Sequence, residues 1–362
     1  MTAAEIAASR ERSGAIPSAS RVAWVDIAKG WCIILVVMMH SALGVGLVLE
    51  ETGWLHAIVA FAKPFRMPDF FLIAGLFVGR AVERPWRTYL DRKVVHFVYF
   101  YALWVLIVLL LKAGPLGLMA PWPFLTAYLW SFVEPFSSMW FIYILPFLFL
   151  TARFVRALPR AAVVFATLFL HLAAASFPDR NMYVMESMMT GSILVNSYSL
   201  FLFFFLVGHF ERDRIFRFAT TAGRHPMAAI AGLGAWALFN QLGVSFGLAA
   251  VPGLTVIYGI GGALAVVAGS SLLARARWMR WLAYCGRHSL TIYLAFVVPM
   301  GAARVLLIQF GMISNVGWLS LVVTVVAIIA PLILNAVTRD TPLAFLFRRP
   351  SWAGFQPRVL GK

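Results

Sequence analysis

Four polar features stand inside or beside long apolar runs, and each has a chemistry it could perform. His40 lies in the run 31–49, eleven residues past Lys29. On a helix rising about 1.5 Å per residue that places it about 16 Å farther along. An imidazole takes and returns a proton near neutral pH, and a polar group at membrane depth is costly enough that function is its default explanation. The alternative is structural glue, a ring hydrogen-bonded to a neighbouring helix. The run 57–79 is interrupted by Lys63-Pro64-Phe65-Arg66-Met67-Pro68-Asp69. Two prolines there release backbone groups, which is tolerated where the break is buried or lines a wet cavity. Arg66 beside such a break could stabilise an anionic intermediate, or simply pair with Asp69. Asp26 and Lys29 share one helix face and can pair; an acid near a helix start plus an anchoring cation is the plainer reading. The segment 80–93 carries Arg80, Arg84, Arg87, Arg92 and Lys93 against Glu83 and Asp91. Guanidinium matches phosphate geometry, so this stretch suits the phosphates of a nucleotide-bearing cofactor. Topology alone would also explain it.

The elements that must hold these residues are membrane helices. The chain has 362 residues, 62% hydrophobic and 12% charged, about half the charged fraction of a soluble domain. Ten runs are long enough to cross a bilayer: about 31–49, 57–79, 94–113, 139–157, 161–177, 191–210, 226–246, 253–273, 288–309 and 317–338. The basic residues fall in alternate gaps between them, which hold 25 of the 30 Lys and Arg. By the positive-inside rule those gaps are cytoplasmic. The five exceptions are Lys63, Arg66, Lys112, Arg180 and Arg304. The expected fold is an all-α polytopic bundle of about ten transmembrane helices with both termini cytoplasmic. Its parts are a cytoplasmic tail 1–30, a membrane domain 31–338 and a cytoplasmic tail 339–362. The proline-rich, aromatic stretch 114–138 is expected to be re-entrant or interfacial, since an eleventh span would spoil the charge alternation.

Other classes are excluded. The net charge of +16 sits in short loops and forms no nucleic-acid stripe with interleaved aromatics. Cys32 and Cys285 have no ligand-spaced neighbours, so no metal is expected. The run 31–49 is expected to be a retained first helix and not a cleaved signal. No Walker loop, dinucleotide fingerprint, zinc-protease helix or nucleophile elbow is present. His96, His171, His209, His288, Arg304 and Asn196 are read as satisfied polar residues or interface anchors.

Five stretches, in order, carry a resemblance. Arg21-Val-Ala-Trp-Val-Asp26-Ile-Ala-Lys29-Gly30 runs on to His40; Phe65-Arg66-Met67-Pro68-Asp69-Phe70-Phe71 leads to Gly75. Tyr89-Leu-Asp-Arg92-Lys93, Met139-Trp140-Phe141-Ile-Tyr143 and Gly286-Arg-His-Ser289-Leu290-Thr-Ile-Tyr293 follow. Together they resemble membrane acyltransferase family 3, from residue 21 to about 338. The resemblance implies an enzyme of the bacterial inner membrane that moves an acyl group, often acetyl, from cytoplasmic acyl-CoA to a hydroxyl of an extracytoplasmic sugar, glycan or glycolipid. It maps the family's essential histidine onto His40, with Arg66 and Asp26 beside it as catalytic candidates. Arg84, Arg87, Arg92 and Lys93 become candidates for the CoA phosphates. Acetyl-CoA is then the donor substrate, membrane lipids the surroundings, and neither metal nor nucleic acid is involved. Four positions depart from the pattern: Ala74 replaces a usual Ser, Asp69 an apolar residue and Phe296 a late His. Arg84 and Arg87 keep an arginine spacing that Arg92 and Val95 do not. A transporter of a small polar or lipid-linked molecule is the rival class, on the strength of the broken second span; a non-catalytic relative is the third.

Overall fold

The computed structural model describes residues 22–177 and 192–355. The basic residues Arg10, Arg12, Arg21, Arg358 and Lys362, and Asp179, Arg180 and Glu186, lie outside these. The described residues form an all-α polytopic membrane protein. Seven helices are long and apolar enough to cross a bilayer: α1 (Ala23–Leu49), α4 (Trp86–Lys112), α6 (Trp140–Ala157), α8 (Ile193–Phe210), α10 (Pro226–Ser245), α11 (Leu254–Leu273) and α15 (Val316–Thr338). The other three expected spans are also helical, in less regular forms. Run 57–79 is the pair α2 (Trp54–Ala62) and α3 (Arg66–Gly75). Run 161–177 is α7 (Arg160–Ala175), 16 residues long. Run 288–309 is α13 (Ser289–Ala295) and α14 (Val297–Gln309), bent by 55° with Phe296 at the corner. The stretch 114–138 holds only α5 (Pro121–Trp130), ten residues and too short to span. Its Trp122 and Trp130 are exposed, as interfacial aromatics are.

The break in the second span follows from its prolines. After Ala62 the chain makes one tight turn, Phe65 N–H donating to the Ala62 carbonyl at 3.2 Å. Helix α3 then starts at Arg66, so Pro68 falls in its first turn, where a missing N–H costs nothing. At its other end Gly75 lies against the Phe205 carbonyl, and Gly208 of α8 lies against the Leu72 carbonyl. Two facing glycines thus let the backbones touch.

Helix α1 is the central element. It starts eight residues earlier than the expected span, so Asp26 and Lys29 belong to the helix itself and not to a tail. Its Gly30 abuts the Leu282 carbonyl of α12 (Arg280–Arg287), and Gly286 of α12 abuts the Asp26 carbonyl. The C-terminal residues also fold back. Short turns at Pro342–Leu346 and Ser351–Ala353 run along α4. Tyr99 Oη donates to the Phe345 carbonyl at 3.1 Å and Trp104 Nε1 to the Leu346 carbonyl at 2.9 Å.

Candidate active site

His40 stands on α1 about three turns beyond Lys29. Among the described residues neither ring nitrogen makes a hydrogen bond, and the ring packs on Phe296 with centroids 5.3 Å apart. The charges that bear on it are those of Arg66, at the start of α3, and Lys112, at the end of α4. Three different elements therefore surround it, yet it is only half-buried. His171 makes a useful contrast. Its Nδ1 meets the Leu200 carbonyl at 2.8 Å and its Nε2 the Thr255 hydroxyl at 2.9 Å, so both nitrogens are committed to joining α7, α8 and α11. His171 is glue, as expected; His40 has nothing to glue.

Arg66 is 1% exposed and Asp69 is sealed. The Asp69 carboxyl has the Cys32 thiol of α1 and the Arg66 guanidinium as polar neighbours. The broken second span therefore turns a cation toward His40 and ties its acid to α1. Around this group the sequence motifs meet. Phe71 packs on Phe141 and Trp140, with centroids at 4.9 and 6.0 Å. Tyr293 Oη donates to the Ser138 carbonyl and accepts from the Ile142 N–H at 3.4 Å.

Asp26 is elsewhere. It lies 14 residues before His40, about 21 Å along the helix, and its Oδ2 is 3.9 Å from Arg287 Nη1. The partner is on α12, because Gly286 packs against the Asp26 carbonyl and brings Arg287 there. Lys29 instead lies over the Phe77 ring, 4.6 Å from its centroid. Asp26 thus sits outside the His40 group, in a link between the first and last motifs.

The arginines of the basic segment are separate again. Arg84, Arg87 and Arg92 are exposed, and Lys93 is half-buried over the Phe149 ring at 4.3 Å. The charges of Lys29 and Arg84 bear on Lys93, so the segment and the start of α1 make one basic rim. A π-helical turn at Asp91–Val95 carries Arg92 and Lys93; such turns often mark functional positions. Its geometry is held by Arg349 from the C-terminal fold-back. Arg349 Nη2 donates to Asp91 Oδ2 and Nη1 to the Asp91 carbonyl, both at 2.7 Å, while Phe355 N–H reaches Asp91 Oδ1 at 2.9 Å.

An acyltransferase domain model matches residues 22–337 of this chain. The chain belongs to the acyltransferase 3 family. It is a membrane acyltransferase. It is also similar to the inner membrane protein YcfT of Escherichia coli (strain K12), 33% identical over 92 residues. That stretch is 22% of this chain and 25% of YcfT, so it spans only a quarter of the relative's length. No solved structure matches.

Two groups near His40 escaped the sequence reading of the site. Lys112 was visible only as an exception to the charge alternation. Phe296 was visible as a departure from the family pattern, and it proves to be the ring that His40 touches. Arg349 gave no local signal, because its partner is 258 positions away.

Proposed function

We propose that this acyltransferase moves an acetyl group from acetyl-CoA on the cytoplasmic side to a hydroxyl of an extracytoplasmic sugar or glycan, in the bacterial inner membrane. On this reading the chain crosses ten times, and the basic rim is cytoplasmic. Arg84, Arg87, Arg92 and Lys93 hold the CoA phosphates, and the thioester reaches inward toward His40. His40 takes the proton of the acceptor hydroxyl as its oxygen attacks the thioester carbonyl. The C–O ester bond forms, the C–S bond breaks, and the proton passes to the departing thiolate. Arg66 stabilises the tetrahedral oxyanion between those events, where a buried cation is worth far more than in water. Phe296 fixes the ring plane.

The observation that carries this reading is the uncommitted imidazole, half-buried among three elements and beside a sealed cation. A structural histidine at that depth would be bonded as His171 is. The broken second span also suits a transporter, but here its cation faces the same histidine. Sealed inside-out vesicles given radiolabelled acetyl-CoA separate the two. Labelled acceptor supports the enzyme and its direction; substrate flux without label supports transport. Folded His40→Ala protein that still labels the acceptor at the wild-type rate would remove the mechanism.

A further inference from the structure

The charge distribution along the sequence has five exceptions, and the structure gathers three of them. Arg66 and Lys112 are the charges that bear on His40. Arg304, on α14, directs its guanidinium into the place that a side chain at Gly44 would occupy. Gly44 lies one turn beyond His40 on the same face of α1, away from the basic rim. A Cβ at 44 would collide with the Arg304 Nη1 atom, so the glycine is what admits the cation. Both newcomers are half-buried. Lys112 sits near the Phe136 ring, 5.8 Å from its centroid. Neither Lys112 nor Arg304 has a hydrogen bond or ion pair among the described residues.

Among the described residues, the acids of that end are committed or remote. Glu134 accepts hydrogen bonds from the Ser192 hydroxyl, at 2.7 Å, and from the Ile193 N–H. Glu50 and Glu51 are exposed beyond the end of α1. Positive charge on this side opposes the rule that orders the rest of the chain, and unpaired half-buried cations are costly to keep. A substrate that supplies the missing negative charge accounts for both.

We infer that the acceptor carries an anionic group, a carboxylate or phosphate ester, close to the hydroxyl that is acylated, and that Arg304 and Lys112 hold it. This rests on the acyl-transfer reading above and narrows its acceptor. Arg304 is suited to a two-oxygen anion through its planar fork, Lys112 to a point contact. Arg66, sealed and deeper, stays with the reacting carbonyl.

Binding tests this without turnover, so a failure here is distinct from a failure of acyl transfer. The probe is a uronate oligosaccharide, compared with its carboxyl-reduced counterpart, on the full-length protein in detergent at low salt. A second pair of probes is phosphatidylglycerol and phosphatidylcholine vesicles with the reconstituted protein. We expect the anionic member of one pair to bind at least tenfold more tightly, and the pair that shows it identifies a soluble or a lipid source. Arg304→Gln and Lys112→Gln should each remove most of that gap. Gly44→Ala, which displaces Arg304 but keeps its charge, should remove part of it. Acetyl-CoA binding should be unchanged in all three, which also shows that they fold. Equal binding of charged and neutral probes in both pairs overturns the inference. So does a gap that survives both glutamine variants.

Discussion

Two groups of basic side chains in this protein share their chemistry and differ in their surroundings. The rim of Arg84, Arg87 and Arg92 is exposed, where charge is cheap, screened by salt and enforced by topology. The group of Arg66, Lys112 and Arg304 is buried or half-buried around His40, where charge is expensive. The same side chain therefore means different things at the two depths. On the proposed reading, single rim arginines share the attraction of an anion and any one can be spared, whereas each interior cation occupies a distinct position.

The sharpest way to break this contrast is to replace Arg66. Arg66→Gln should lower kcat by about 10²–10³-fold, the scale of a lost oxyanion donor, with the KM for acetyl-CoA little changed. Arg66→Lys should recover only part, since a point charge does not replace a planar fork. Steady-state rates in vesicles check both, and an effect confined to a raised KM for acetyl-CoA would place Arg66 on the donor path instead.

A middle effect is expected at the clamp on the π-helical turn. Arg349→Gln or Asp91→Asn should raise the KM for acetyl-CoA about three- to tenfold by releasing the turn that carries Arg92 and Lys93, at a cost of up to about 1.4 kcal/mol in donor binding. Protease cleavage within 342–355 should speed up in the same variants. An unchanged KM with faster cleavage would leave the clamp a purely structural device.

Smaller still are single rim changes. Arg84→Gln, Arg87→Gln and Arg92→Gln should each raise the donor KM only a few-fold, the triple variant more than any single one. The loss should shrink at high salt, because the wild-type advantage is screened. A single replacement that costs as much as Arg66→Gln would erase the distinction between the regions. Least affected should be catalysis in Asp26→Asn, which breaks the Arg287 link and should lower the thermal midpoint while leaving kcat near wild type.

Much of this was legible in the chain because the signals are local. The prolines at 64 and 68 announce the break between α2 and α3, and Gly75 announces a close helix approach. His40 was found by its depth alone. Depth could not tell it from His171, however, since both are histidines in apolar runs. What separates them is which partners the neighbouring helices deliver: Leu200 and Thr255 to one, a phenylalanine ring to the other. The partner of Asp26 stays open in the sequence for the same reason. A three-residue spacing allows a local pair, but α12 packs so closely on α1 that Arg287 arrives first. The fold-back of residues 342–355 has no periodic pattern to reveal it, being two single turns joined by proline-bearing loops.

Everything in the mechanism depends on water and substrate reaching His40 from both faces of the membrane. In protein whose Cys32 and Cys285 are replaced by Ser, a His40→Cys variant can be treated in sealed vesicles of either orientation with a small membrane-impermeant thiol reagent. Modification from each face, slowed by acetyl-CoA added on the face that bears the basic rim, is the outcome this account expects. A thiol that stays unmodified from both faces in folded protein would contradict it.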